Sequence, residues 1–418
     1  MNVCIVGLGK VGLPLAAFLA SRGLRVIGAD VDPERVASVN EGRSPFAFEP
    51  GLEELTRQGV AAGLLRAVSD TSAAAREAEV IVLIVPLTLD DAGRPDFTVL
   101  DQTVGALAAS APDGALVLVE TTVPVGTTRS RVAGRLRAAG RRCDVASAPE
   151  RVSSGTVLRD LRRYPKIVGG VDPPSGERAE AFYRQALGAD VLRLASAEAA
   201  ELTKIAEGVY RDLNIALANE LARYADAVGV DIAEVIGAAN SQPYAHLHQP
   251  GLGVGGHCIP VYPRFLPAGE GGLALPALGR QINDGMAAYG VERLEALLGG
   301  PGALRGTAVV ILGVSFRADV REPYHSPAFA LRDELARRGA RPLAHDPFFT
   351  ADELRRLGFE PCEVPCAADA VVVQAWHEPY RDLDLAAFPG IRAVLDGRNV
   401  LDRTRVEAAG IRYAGIGR

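Results

Sequence analysis

Asn2-Val3-Cys4-Ile5-Val6-Gly7-Leu8-Gly9-Lys10-Val11-Gly12, together with the apolar run Leu24 to Ala29 that ends in Asp30, is the stretch from which the fold is read. Residues 2–6 read as a short buried strand, and Val11 to Ala20 as a helix. Strand, glycine-rich turn, helix and a second strand ending in an acid make up the dinucleotide-binding fingerprint. The first glycine makes the turn, the second admits a pyrophosphate, and the third lets helix pack on strand, while the helix N-terminus favours the anion. Asp30, 18 positions after Gly12, is placed to take the ribose hydroxyls and disfavours a 2′-phosphate. NAD is therefore the expected cofactor, held by Gly7, Gly9, Lys10, Val11, Gly12 and Asp30, with Pro86 and Thr122 at later strand ends. Asp32 lies past the strand end and is read as the start of the next helix.

Outward from this unit, strands alternate with helical stretches. Val80 to Val85 and Ala115 to Val119 are continuous apolar runs, as parallel strands buried on both faces should be. Cys143 to Ala148 is a further strand, leading into Pro149-Glu150-Arg151. Ligands in an open parallel sheet sit beyond the strand carboxyl ends, which makes Thr122 and Glu150 site candidates, although each could equally serve as a cap or turn residue. Ser196 reads as the N-cap of a long helix reaching Val228. Its apolar stripe, Leu202, Ile205, Val209, Leu213, Ala216 and Leu217, is read as packing, and Lys204, Gly208, Arg211 and Ile215 fall on a neighbouring face. A glycine inside a helix costs about 1 kcal/mol against alanine, so Gly208 marks a close approach. From Thr307 the alternation restarts: strands at Thr307–Leu312, Arg341–Ala344, Ala370–Gln374 and Arg392–Leu395, and a helix at Pro327–Arg338. The expected fold is α/β, with two Rossmann-like parallel-sheet domains (1–195 and 300–418) joined by a long central helix and a helical middle domain (196–299).

That middle domain carries, toward its end, Pro250-Gly-Leu-Gly-Val-Gly-Gly-His-Cys-Ile-Pro-Val-Tyr262, too rich in turn formers for a regular element. Its single sulfur, Cys258, reads either as a nucleophile brought to a substrate or as a small hydrophobe in a turn. The chain has 418 residues, 48% hydrophobic and 23% charged, with a net charge of −6. That balance argues against a nucleic-acid partner, and there is no long apolar run to span a membrane. Five scattered cysteines suit a reducing cytoplasm, and no spacing suggests a metal site.

In sequence the chain resembles the nucleotide-sugar 6-dehydrogenases (UDP-glucose, GDP-mannose and UDP-N-acetylmannosamine dehydrogenases) over nearly its whole length. The resemblance rests on G-L-G-K-V-G-L-P at Gly7, E-T-T-V-P-V-G-T at Glu120, P-E-R-V-S-S-G at Pro149, E-L-T-K-I-A-E at Glu201, N-I-A-L-A-N-E-L at Asn214, the Pro250 loop and I-L-G-V-S-F-R at Ile311. P-E-R-V and K-I-V-G-G at Lys166 are most similar to the UDP-N-acetylmannosamine branch. The resemblance implies an NAD-dependent oxidation of a sugar C6 alcohol to the uronate, through a thiohemiacetal and thioester on Cys258. It implies Lys204 at the developing oxyanion, Glu150 and Thr122 at the hydrolytic water, and a UDP-linked sugar as substrate. Substrate contacts are expected from Arg151, Lys204, Gly208, Arg211, Tyr244, Gly255, Tyr262, Phe316, Arg317 and Tyr324, with the last domain holding the nucleotide. A cytoplasmic homodimer built on the middle helix is implied in the same way. The chain departs from the family pattern at four places: Gly208 for asparagine, Tyr262 for aspartate, Tyr324 for a substrate-binding arginine, and Gln242-Pro243-Tyr244 for H-P-R. These departures leave two alternatives open, a different nucleotide-linked substrate or an oxidation that stops after two electrons.

Overall fold

A computed structural model describes residues 1–46, 48–267 and 272–418. The chain divides into two compact units, Met1–Glu207 and Gly208–Arg418. In the first, eight strands form one sheet: β1 (Asn2–Val6), β2 (Arg25–Ala29), β3 (Leu65–Val68), β4 (Val80–Leu83), β5 (Leu116–Val119), β6 (Asp144–Ser147), β7 (Lys166–Gly170) and β8 (Val191–Leu194). Their order is β8-β7-β6-β5-β4-β1-β2-β3. The central runs Val80–Leu83 and Leu116–Val119 are buried at every position, which is why they show no alternation in the sequence. Every pairing in this sheet is parallel except β6 with β7, which is antiparallel. The sheet is parallel, as expected, apart from that one pair.

In the second unit six parallel strands, β9 (Ala308–Leu312), β10 (Arg341–His345), β11 (Glu360–Pro361), β12 (Ala370–Val373), β13 (Ala393–Asp396) and β14 (Arg412–Gly415), take the order β11-β10-β9-β12-β13-β14. This repeats the order of the first six strands of the other unit. In both, the sequence direction reverses beside the first strand, opening a crevice at its carboxyl end. Helix starts follow local chemistry. Asp172 caps the helix Pro173–Leu187 by accepting from Ser175 N at 2.9 Å, with proline at the first turn. Ser326 caps Pro327–Arg337 in the same way.

The long helix runs Ala197–Val228, and Ser196 Oγ accepts from Ala199 N at 3.2 Å, as the sequence predicts. Its apolar stripe divides: Ile205 and Ala216 are buried, whereas Leu202 is 47% and Leu217 44% exposed. Within the single chain only the Ile205 and Ala216 edge of the stripe is packed. Among the described residues, no helix is long and apolar enough to cross a membrane.

Candidate active site

The turn after β1 separates two kinds of glycine. Gly7 has φ +95°, and a Cβ there would lie 2.4 Å from Ile84 O. A Cβ on Gly12 would lie 1.8 Å from Gly7 O, so the helix Gly12–Ser21 could not start where it does. A Cβ on Gly9 would meet nothing within 4 Å. The protein itself requires the first and third glycines, while the second leaves backbone open to a ligand. Val11, the N-cap, offers no side-chain cap to that helix; Leu13 N donates to Gly9 O and Pro14 has no N–H, so a phosphate would be met by the amides before Leu13. Asp30, buried at the end of β2, accepts from Leu8 N at 2.8 Å and Asp32 N at 3.0 Å. Arg35 Nη1 holds both its oxygens, at 3.0 and 2.9 Å. Asp32 caps the next helix, accepting from Glu34 and Arg35 amides, as read from the sequence. The open Gly9, the bare helix start and the anchored Asp30 fit an NAD pyrophosphate and ribose. Lys10 Nζ stands 5.7 Å from the Phe48 ring centroid, Pro86 is exposed just beyond Val85, and Thr122 is buried.

Behind the ends of β5 and β6 lies a charged cluster. Lys166 Nζ, on β7, is 2.7 Å from Glu150 Oε2 and 3.0 Å from Glu120 Oε1. Glu150 Oε1 accepts from Arg151 N at 2.7 Å. Burial pushes the Glu150 carboxyl up, but the Lys166 charge and hydrogen bond outweigh it and leave it below the ordinary range. Burial would lower the lysine, and its two carboxylate neighbours hold it above its usual value instead. Arg151 turns its guanidinium to Glu207 Oε1 at 2.7 Å and to Pro165 O. A cavity of about 10 Å³, lined by Glu150, Arg151, Tyr164 and Lys166 among others, adjoins the cluster, which is about the space one water needs. Lys204 is half-buried on the long helix. One turn earlier, Glu201 holds the Gly126-Thr127-Thr128 segment by accepting from Gly126 N at 2.6 Å and Thr128 N at 2.7 Å.

In the second unit, Cys258 is exposed, so it is not a packing hydrophobe. Its loop is pinned on both sides. Leu252, fully buried, drives its methyls into the space left by Gly290 and Gly397, and Gly251 N donates to Asn219 Oδ1 at 2.9 Å. Asn219 in turn donates to Asn283 Oδ1, which belongs to a buried set with Asp212 and Arg280. Beyond the cysteine, Tyr262 N donates to Cys258 O at 2.9 Å. The Tyr262 ring lies on Gly208: a Cβ there would come within 3.2 and 3.3 Å of ring-side atoms. Two of the departures from the family pattern are therefore in contact. Gly255 is needed because a Cβ would lie 2.6 Å from Phe316 Cβ and 2.7 Å from His325 O. His257 stacks on Tyr324, centroids 4.0 Å apart, and faces Glu322 Oε2 at 3.3 Å, a turn-stabilising arrangement.

The crevice of this second sheet differs from the first. Gly313, like Gly7, has positive φ and no room for a Cβ, and Asp346 follows β10 as Asp30 follows β2. Asp346 Oδ2, however, already accepts from Val314 N, Ser315 N, Ser315 Oγ and the buried His377. Burial pushes its carboxyl up, and these bonds, His377 first, hold it below the usual range. Asp346 Oδ1 accepts from Phe348 N at 3.0 Å, as Asp30 Oδ1 accepts from Asp32 N; the difference is the side-chain partner, His377 for Asp346 and Arg35 for Asp30. Cations are also nearby. Burial, then the adjacent Arg211 charge, lower the Arg317 guanidinium, and half-buried Arg398 donates to Phe316 O at 3.2 Å. Like charges held close favour an anion. Tyr244 is 92% exposed. Arg35, Lys166, Tyr183 and Asn219 were not among the sequence candidates; Arg35 meets Asp30 only five residues away, while contacts remote in sequence reveal the other three.

The chain matches the UDP-glucose/GDP-mannose dehydrogenase family in three successive parts: its NAD binding domain at residues 1–187, its central domain at 198–278 and its UDP binding domain at 310–403. A UDP-N-acetyl-D-mannosamine dehydrogenase of Methanocaldococcus jannaschii is 31% identical, covering 100% of this chain and 96% of its own. An NDP-N-acetyl-D-galactosaminuronic acid dehydrogenase of Ralstonia nicotianae is 32% identical over 97% and 98%. The solved UDP-D-ManNAc dehydrogenase of Pyrococcus horikoshii superimposes with a TM-score of 0.89 at 30% identity, over 100% of this chain and 99% of that one.

Proposed function

From the premise that this chain belongs to the UDP-glucose/GDP-mannose dehydrogenase family, and is thus an NAD-dependent nucleotide-sugar dehydrogenase, we propose that it oxidises the C6 alcohol of a UDP-linked N-acetylhexosamine to the carboxylate. The sugar class follows from relatives that act on such sugars. The observation that carries the covalent route is the exposed Cys258 on a turn anchored at both ends. NAD, when bound at Gly7, Gly9, Gly12 and Asp30, supplies the hydride acceptor for each two-electron step. Cys258 Sγ adds to the C6 aldehyde, because an aldehyde has no good hydride to give until a nucleophile has added. The resulting thiohemiacetal loses hydride to leave a thioester, and water attacks its carbonyl carbon, releasing the carboxylate and the thiol. In this reading Lys204 stabilises the oxyanion, while Glu150, with Thr122, orients the water and takes its proton. Arg211 and Arg317 receive the diphosphate.

The same reading divides the labour among residues 1–195, 196–299 and 300–418, places the protein in the cytoplasm, and makes it a homodimer through the exposed Leu202 and Leu217 edge of the long helix. A second reading, oxidation stopping at the aldehyde, is favoured by one observation: the Tyr262 ring fills the place over Gly208 where the family carries asparagine and aspartate. A panel of UDP- and GDP-sugars with NAD decides. Two NADH per sugar and a carboxylate product support the full oxidation, one NADH and an aldehyde support the second reading, and no turnover with any of them refutes the substrate class.

A further inference from the structure

Glu120, Glu150, Lys166 and Tyr183 are almost fully buried behind the strand ends of the first unit. Tyr183 Oη donates to Glu120 Oε1 at 2.5 Å, and its ring centroid is 4.9 Å from Lys166 Nζ. Two carboxylates against one ammonium would leave a net negative charge in a medium that solvates it poorly. A single proton removes it, and the bonding pattern says where that proton belongs. Both Glu150 oxygens are engaged, by Arg151 N and Lys166 Nζ. Glu120 takes both its donors, Tyr183 Oη and Lys166 Nζ, on Oε1, and its buried Oε2 has none, so of the two carboxylate charges that of Glu120 is the less supported.

We propose that Glu120 is carried as the neutral acid and, with Lys166 and Tyr183, forms the positioning set that keeps Glu150 ionised and aimed. The inference rests on the reading of Glu150 as the group that takes the water's proton. Burial first, and then the Glu150 charge, push Glu120 up to about 8 against the opposing pull of Lys166. The groups facing it are Glu150 beyond β6, Lys166 on β7 and Tyr183 on the helix Pro173–Leu187. Arg151 points its guanidinium away, to Glu207. Tyr183 is itself pushed well above its usual value by burial, so it stays a donor throughout the working range.

Raising the pH through the Glu120 pKa puts a second negative charge beside Glu150. Because the folded pKa lies above the unfolded one, the stabilisation is complete below the ordinary glutamate value and is lost as pH rises through about 8. Wild-type protein should therefore show an alkaline limb in NADH formation, approaching about tenfold per pH unit. The ligand-free protein should show a melting temperature that falls from about pH 5 to about pH 8 and levels off above it. Glu120→Gln keeps the shape and a permanent N–H donor and cannot ionise, so both the melting slope below about pH 8 and the turnover limb above it should flatten. If the variant keeps the wild-type limb in both measurements, the proposal is overturned. If melting flattens but turnover does not, Glu120 holds the proton without positioning Glu150, which also overturns it. Full turnover by Glu150→Gln would instead refute the role of Glu150 itself, an outcome the melting experiment on Glu120→Gln does not depend on.

Discussion

Gly208→Ala tests whether the two unusual residues of the cysteine-bearing unit act as one feature. The new methyl would sit 3.2 Å from Tyr262 Cδ2 and 3.3 Å from Tyr262 Cβ. Forcing a methyl into such a contact costs about 1–3 kcal/mol, while replacing glycine by alanine inside a helix recovers about 1 kcal/mol. Alone, the substitution should range from neutral to about 2 kcal/mol destabilising. In a Tyr262→Gly background both contacts are gone, and the same change should stabilise by about 1 kcal/mol. The two effects should thus differ by about 1–3 kcal/mol, well above the roughly 0.5 kcal/mol tolerance for independent sites. Thermal unfolding of the four proteins reads this as a few degrees. The chemistry should follow, because Tyr262 N holds Cys258 O: Gly208→Ala should change the alkylation rate of Cys258 by iodoacetamide. Additive melting shifts, or equal stabilisation by about 1 kcal/mol in both backgrounds, would refute the contact.

Gly12→Ala, with its methyl 1.8 Å from Gly7 O, should cost more than about 3 kcal/mol, whereas Gly9→Ala should melt within about 0.5 kcal/mol of wild type yet lose NAD affinity in titration calorimetry. Asp30→Ala releases Arg35 from its two contacts, so the ratio of NADP to NAD affinity should rise, and an unchanged ratio would remove Asp30 from the ribose site. Leu252→Ala empties a fully buried position and should cost about 2–5 kcal/mol while loosening the loop, seen as faster Cys258 alkylation. Cys258→Ala should abolish carboxylate formation and leave NAD binding unchanged; carboxylate produced by this variant would refute the covalent route. Tyr262→Asp, if water attack limits the reaction, should raise steady-state NADH formation or clear a Cys258 adduct visible by mass spectrometry, and no change would clear Tyr262 of being the bottleneck.

Local chemistry writes itself into a sequence wherever the cause and its effect are close in the chain. The glycine turn with Asp30, the continuous apolar strands, the caps at Asp32 and Ser196, and the length of the helix to Val228 were all legible, because each depends on neighbours within a turn or a strand. The Pro250–Tyr262 loop was legible as a loop for the same reason. The reversal of β7 was not, since strand direction depends on how a chain returns and not on its own residues. Nor was the division of the apolar stripe, where Leu202 and Ile205 have equal hydrophobicity and opposite fates. Lys166 read as part of a strand motif, but its two carboxylate partners come from positions 46 and 16 residues earlier. Gly208 announced a close approach without naming what approached, and only folding brought Tyr262 there. The sequence by itself determined the two sheets, the cofactor turn and the loop that carries Cys258. The tertiary structure alone decided which glycine stays open, that His377 is the partner of Asp346 and that two carboxyls gather on Lys166, because those outcomes are settled by burial and by partners far away along the chain.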